Sequence, residues 1–215
     1  MSMDLKQWDT DKNLIMRLFT LVAQLAALNL LMVVFCIPII TTGAAFAAMH
    51  DCLQQIVRKE DGYITRRFMA SFRENLRQGT ILFLPFIPVF FGVAIDVLIQ
   101  FLVPGLFPGW VLVPAGTAGI LGFFIFLWVF PVQARFHGTA EEVFRLSLLL
   151  FAARFPRTAA MAMMWMIPVL LFRFLPLLPL SILFGFALPG YLNVLFYLPV
   201  FGELEEEKTR EKKGD

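Results

Sequence analysis

Charge is scarce in this sequence, and cysteine and histidine are nearly absent. Asp, Glu, Lys and Arg make up 16% of the chain, against about 25% in soluble domains. Of the two cysteines, Cys36 lies in an apolar run and Cys52 in a helical stretch, a pattern that favours neither a disulfide nor a metal site. The net charge of +2 is divided among separate segments, so no nucleic-acid partner is predicted. No cofactor is predicted either.

Hydrophobic residues, by contrast, make up 59% of the chain, above the roughly 45–50% of soluble proteins. They form long runs nearly free of charge, and about 20 apolar residues suffice for one helix to cross a bilayer. The sequence predicts an all-α, polytopic helical membrane protein, with one membrane domain over residues 1–202 and a charged, disordered tail over residues 203–215. The predicted spans are Leu18–Ile40, Gly79–Val103, Trp110–Val132, Thr158–Leu175 and Pro179–Phe201.

Lysine and arginine are sorted along the chain. Of the 18, six lie between Arg58 and Arg77, four between Arg135 and Arg157, and four after Glu203. The connections at residues 104–110 and 175–178 carry no charge. Because basic loops of membrane proteins stay in the cytoplasm, we expect all three tracts, and with them the C-terminus, to be cytoplasmic.

Two amphipathic helices follow the first span and leave the number of spans open. Tyr63–Gln78 has apolar residues spaced by four and arginines elsewhere, which is typical of a helix at the membrane surface. Ala44–Val57 gathers polar residues, including His50 and Gln54, on one side, which predicts an interfacial or pore-facing patch. If Ala44–Val57 crosses the membrane, the chain has six spans and a cytoplasmic N-terminus; if not, it has five spans and an outside N-terminus. The basic residues flanking the first span favour six.

Four polar residues lie inside the predicted spans. A carboxylate at such a depth is costly and is a functional hypothesis by default. We expect Asp96 to form an ion pair with Arg173 or to reach towards the interface, ahead of two alternatives: a place in a substrate or proton path, or no contact between the two. For Asn29 and Asn193, hydrogen bonds between helices are favoured over ligand binding.

Several arginines in the basic tracts are candidates for contact with lipid or with a partner protein. Anionic headgroups attract such side chains by about 1 kcal/mol each near the surface. The candidates are Arg66, Arg67, Arg73, Arg77, Arg135, Arg154 and Arg157.

Prolines recur inside the spans, and each is expected to kink its helix. Pro88 and Pro168 are 80 residues apart, as are Arg77 and Arg157. These equal spacings fit a duplicated fold, and the sites of such folds often lie between the repeats. They fit equally a chance similarity between two units that each combine an amphipathic helix with a span.

Motifs spread over the chain resemble the YesL-like family of bacterial membrane proteins. They are Leu28–Leu31, Pro38–Ala44, Arg58–Ile64, Phe68–Gln78, Phe130–Phe136, Phe155–Thr158 and, more loosely, Pro176–Pro179 and Gly185–Pro189. The resemblance implies a multi-pass protein of the bacterial cytoplasmic membrane. Family members often lie beside genes for sugar uptake and polysaccharide breakdown in Gram-positive bacteria, which implies a carbohydrate context. The function of the family is unknown, and the resemblance supplies no catalytic or binding residue.

The sequence shows no paired acid and base groups, and no nucleophile with a neighbouring base, at a plausible spacing. We therefore predict a protein that is not an enzyme but a non-catalytic accessory or scaffold protein associated with carbohydrate uptake. Its predicted partners are the lipid bilayer and a carbohydrate transporter component. The alternative is a small transporter or channel that uses Asp96 in its pathway.

Overall fold

The protein is almost entirely helical. The structure is a computed structural model and describes residues 4–60, 62–103, 106, 108–136, 138–173 and 178–214. Within these residues, ten α-helices and two 3-10 turns follow one another without a β-strand, which confirms the all-α prediction. The helices are α1 (Asp4–Cys36), α2 (Thr42–Arg58), α3 (Ile64–Phe83), α4 (Phe86–Leu102), α5 (Leu112–Arg135), α6 (Ala140–Ala153), α7 (Phe155–Met164), α8 (Met166–Arg173), α9 (Leu178–Phe184) and α10 (Ala187–Gly214).

Several helices are long and apolar enough to cross a membrane. Among the described residues three segments meet this test, and a fourth does so if α3 and α4, which are bent by 54° where they meet, count as one span. Large apolar side chains such as Phe19 on α1 and Phe101 on α4 are exposed. Exposed apolar surface of this extent suits helices that face lipid. The three segments are Ile15–Cys36, Leu112–Arg135 and Ile182–Glu206.

Helix α2 forms the centre of the bundle. Eleven of its 17 residues are buried, and it packs against α1, α3, α5 and α10. Small residues permit close approach: a Cβ atom on Gly43 would lie 2.1 Å from the carbonyl oxygen of Gly79 on α3. An amphipathic pattern does not distinguish a polar face in water from one that meets polar partners inside a protein, so the expected polar patch of Ala44–Val57 is largely interior.

Proline sets the positions at which the predicted spans break. Its ring clashes with the carbonyl group four residues earlier, and it has no N–H to donate. A new helix begins two residues before Pro88, Pro168 and Pro189. The predicted span Thr158–Leu175 therefore consists of α7 and α8, and Pro179–Phe201 is interrupted between α9 and α10.

The predicted boundary between the amphipathic helix Tyr63–Gln78 and the span Gly79–Val103 was wrong. Helix α3 continues through this point to Phe83. The chain bends only where the ring of Pro88 forbids a regular helix, so the amphipathic segment and the start of the span share one helix.

The predicted disorder of the tail was also wrong for residues 203–214, because α10 continues to Gly214; residue 215 lies outside the described residues. Glu, Lys and Arg are good helix formers. Glu206 and Arg210 form an ion pair at i,i+4 with the acid on the N-terminal side, the favourable order. The boundary placed after residue 202 therefore falls inside a continuous helix.

Two helix starts follow from the chemistry of single residues. Thr139 caps α6: its hydroxyl accepts a hydrogen bond from the Glu142 backbone at 3.3 Å, and the Glu142 carboxylate accepts one from the Thr139 backbone at 2.8 Å. Pro156 lies at the start of α7, where its missing N–H has no partner to lose.

Candidate functional site

Arg67 forms an ion pair with Asp51, a residue of the central helix α2. Its Nε and Nη2 atoms donate to the two carboxylate oxygens of Asp51 at 2.7 and 2.8 Å, a bidentate pair that joins α3 to α2. The Asp51 side chain is only 13% exposed, and the guanidinium group of Arg67 compensates its negative charge there. Arg67 is therefore engaged in the fold instead of being a free contact residue.

Three more of the candidate arginines pair with the last helix. Arg135 on α5 makes a bidentate pair with Glu205 at 2.7 and 3.0 Å. Arg154 donates to Glu203, and Arg157 lies 3.7 Å from the same carboxylate. These pairs hold the charged end of α10 against α5 and against the junction of α6 and α7.

The remaining three candidates form an exposed stripe on α3, here called the arginine stripe: Arg66, Arg73 and Arg77. At 100° per residue they fall within about 40° of one another around the helix axis. All three are exposed, and none forms an ion pair with a side chain that the structure describes. Ile81, farther along the same stripe, is 51% exposed, so the surface changes from basic to apolar along the helix.

A polar cavity of about 350 Å³ opens between the C-terminal ends of α2 and α5 and one side of α3 over residues 67–78. Asn75 connects two of its walls, since it donates to the Ser71 carbonyl at 2.9 Å and accepts from Gln133 Nε2 at 3.2 Å. Gln78 closes one side by donating to the Gly138 carbonyl at 2.9 Å. The polar side chains that line the cavity include Gln54, Arg67, Ser71, Asn75, Gln133 and Arg135.

A buried polar pair lies next to this cavity. His50 Nδ1 and the Tyr197 hydroxyl are 3.1 Å apart, and both residues are enclosed. Burial lowers the pKa of His50 from its ordinary 6.5 to about 3, so the imidazole is neutral at pH 7. Gln54 donates to the Pro131 carbonyl at 3.3 Å. The predicted interfacial or pore-facing patch is thus wrong for His50, whereas Gln54 does line the polar cavity.

Asn29 of α1 packs against the break between α9 and α10. In a continuous helix the Phe186 N–H would donate to the Ile182 carbonyl. Here Asn29 Oδ1 accepts from the backbone nitrogens of Phe186 and Ala187 at 2.8 and 2.9 Å, while its Nδ2 donates to the Ile182 carbonyl at 2.7 Å. The asparagine thus satisfies the backbone groups that the break exposes.

Asn193 satisfies a backbone group that the break between α7 and α8 exposes. The Trp165 N–H bonds to Ala162 instead of Met161, which leaves the Met161 carbonyl without its helical partner. With the amide oriented to suit its neighbours, Asn193 donates to that carbonyl at 3.1 Å and accepts from Trp165 Nε1 at 2.9 Å. Both predicted intramembrane asparagines therefore contact other helices.

Asp96 is half-buried on α4 and forms no ion pair with a described side chain. The side chain of Arg173, at the end of α8, lies outside the described part of the chain. The pairing of these two residues therefore stays a prediction.

No group of three His, Cys, Asp or Glu side chains among the described residues is arranged to hold a metal ion. Cys36 and Cys52 are free thiols.

The sequence analysis missed the polar cavity. One signal was present: Ser71, Asn75 and Gln78 are spaced by four and three residues and so share one face of α3. Their partner Gln133 lies on another helix, and no local pattern connects the two segments.

Part of the chain is similar to a known family. Residues 25–97 match the family described as "Protein of unknown function, DUF624". The match contains the motifs from Leu28 to Gln78 on which the resemblance described above partly rests, and not those of the second half. No curated protein and no solved structure matches the chain.

Proposed function

We propose that this protein is a non-catalytic accessory or scaffold protein of the bacterial cytoplasmic membrane that associates with a carbohydrate transporter component. The carrying observation is the arginine stripe: of seven candidate arginines, Arg66, Arg73 and Arg77 remain exposed and outside the ion pairs of the fold. Three guanidinium groups in one row suit recognition of acidic side chains on a partner. The carbohydrate context comes from the resemblance to the YesL-like family.

The proposal places the basic tracts and the C-terminus in the cytoplasm, with five or six spans. Arg17 of α1 and Lys59 after α2 line one cleft, so the basic flank of the first span lies beside the first basic tract. The number of spans and the side of the N-terminus stay predictions.

The stripe also suits a position at the membrane surface. Arg73 and Arg77 would lie at the headgroups, and Ile81 would reach the hydrocarbon boundary. In this arrangement α3 holds the stripe at the depth at which the cytoplasmic loops of a transporter also lie.

Affinity capture in mild detergent tests the role. Wild-type protein should recover a membrane component of a carbohydrate importer, and the double variant Arg73→Gln/Arg77→Gln should recover much less. Arg145→Gln/Arg210→Gln is the matched control, since it removes two exposed charges outside the stripe and should recover the wild-type amount. Capture of no transporter component by the wild type, or equal capture by all three proteins, would contradict the proposal.

The second candidate is a small transporter or channel. The specific observation in its favour is the set of three helix breaks, at Leu84, Trp165 and Gly185, since interrupted helices line the sites of many transporters. Flux assays in lipid vesicles with wild type and Asp96→Asn discriminate between this candidate and the accessory role. Solute flux that falls in the variant supports this candidate, and an absence of flux or equal flux in both removes Asp96 from it.

A further inference from the structure

Gln133, which lines the polar cavity, has a hydrogen-bonding atom that the described part of the fold leaves open. Gln133 is 5% exposed, and its Oε1 atom is buried without a hydrogen-bond partner among the described residues. A buried acceptor of this kind destabilises the protein unless another molecule satisfies it. The atom therefore marks a position for a donor from outside the protein.

The orientation of the Gln133 amide is fixed by a chain of hydrogen bonds. Asn75 uses its Nδ2 for the carbonyl and hydroxyl of Ser71, so only its Oδ1 remains to face Gln133. That oxygen must receive the Nε2 of Gln133. Rotating the Gln133 amide would bring two oxygens together, so its Oε1 is the atom without a partner.

The described lining of the cavity carries no net charge. Its three arginines are matched by three acids, and two of the arginines are already in bidentate pairs. An anion would meet these carboxylates, and a cation would meet the guanidinium groups. The balance favours an uncharged ligand. The charged lining residues are Arg58, Arg67, Arg135, Asp51, Glu60 and Glu74.

The uncharged lining offers both donors and acceptors. Ser71 contributes a hydroxyl, and Gln54, Asn75 and Gln133 contribute amides. Hydroxyl groups are the ligand groups that donate and accept at once, and so match such a mixed surface. A volume of about 350 Å³ is at the small end of the range for ligand sites, roughly 300–1,000 Å³.

We propose that the polar cavity binds a small uncharged compound with several hydroxyl groups, a polyol or monosaccharide, one of whose hydroxyls donates to Gln133 Oε1. This binding does not rest on the partner contact proposed above. The cavity and the arginine stripe share no residue, and each is tested without the other.

Binding is measured by isothermal titration calorimetry on the full-length protein in lipid nanodiscs. The probes are glucose, sorbitol and myo-inositol, with glucose 6-phosphate as the charged counterpart of glucose. At least one neutral probe should bind saturably, and glucose 6-phosphate should bind at least about tenfold more weakly than glucose if glucose is that probe. Absence of saturable binding by all three neutral probes, which would mean that the cavity holds only water, would overturn the proposal.

Two variants locate the binding. Gln133→Leu removes the open acceptor and should weaken binding about tenfold, the scale of one hydrogen bond. Ala134→Trp leaves every polar group in place and fills the cavity that Ala134 lines, so it should abolish binding even if Gln133→Leu folds poorly. Gln24→Leu is the matched control, because Gln24 lines the neighbouring cleft between α1 and α2 and does not line the polar cavity. Wild-type affinity in Ala134→Trp, or an equal loss in Gln24→Leu, would show that the site lies elsewhere.

Discussion

The Oδ1 atom of Asn29 lies 2.8 Å from the backbone nitrogen of Phe186, although 157 residues separate them in the chain. The contact takes the place of a helical hydrogen bond that is lost at the break between α9 and α10, and the amide nitrogen of Asn29 satisfies the other half of the same bond at Ile182. A break inside an apolar bundle is tolerated only if its backbone groups find partners. Asn29 therefore permits α9 and α10 to meet at an interruption.

Replacing Asn29 should destabilise the protein. Asn29→Leu removes three hydrogen bonds and leaves three backbone groups, one buried and two part-buried, without their partner, which we expect to cost about 2–3 kcal/mol. The measurement is reversible unfolding in mixed micelles. Thr20→Val, on the exposed face of the same helix, should change stability by less than about 0.5 kcal/mol; equal effects of the two substitutions would refute the role of Asn29.

Asn193 and Trp165 should be energetically coupled. Trp165→Phe removes the indole donor, and Asn193→Leu removes its acceptor together with the donor to Met161. A double-mutant cycle should give a coupling energy of about 0.5–2 kcal/mol, because the second substitution finds the bond already lost. Additive effects would mean that the two side chains do not interact.

The crossing of α2 and α3 depends on glycine. A Cβ atom on Gly79 would lie 2.6 Å from the backbone nitrogen of Ala44, and the constraint at Gly43 is tighter still. Gly43→Ala and Gly79→Ala should each destabilise the protein by about 1–3 kcal/mol, because the helices must move apart. Gly92→Ala is the control: nothing lies within 4 Å of the added atom, so helix propensity should give a gain of up to about 1 kcal/mol. The same loss at all three sites would show that close approach is not the cause.

Acid should destabilise the protein through His50. Its pKa is about 3 in the folded state and 6.5 ordinarily, so the unfolded chain binds the extra proton between these values, and stability falls as pH drops below 6.5. From pH 7 to pH 5 this amounts to about 2 kcal/mol. His50→Gln should remove that part of the pH dependence, and His137→Gln, the other histidine of the chain, should not. An unchanged slope in His50→Gln would disprove the assignment.

The sequence predicted local features well and long-range contacts poorly. Thr139 and Pro156 stand at helix starts because of their own chemistry, which local sequence is able to indicate. The kinks expected at Pro88, Pro168 and Pro189 became complete breaks, whose positions follow from the ring of each proline.

Contacts between distant segments could not be predicted from the sequence, because they depend on how the helices pack against one another. Glu205 is one of several acids at the end of the chain, and only the packing of α10 against α5 makes it the partner of Arg135. The polar cavity likewise exists because Gln133 meets Asn75 across two helices. An amphipathic pattern indicates that a face is polar; the tertiary fold decides whether that face meets lipid, water or another polar face.

The central claim is that the arginine stripe on α3 forms a contact surface on the cytoplasmic side of the membrane. The most direct test labels a cysteine at position 73 with a membrane-impermeant maleimide, using Arg73→Cys with Cys36→Ala and Cys52→Ala. Trp110→Cys in the same background marks the opposite side. We expect Arg73→Cys to be labelled in inside-out vesicles and protected in intact cells, and Trp110→Cys to show the reverse. Labelling of Arg73→Cys in intact cells would contradict it.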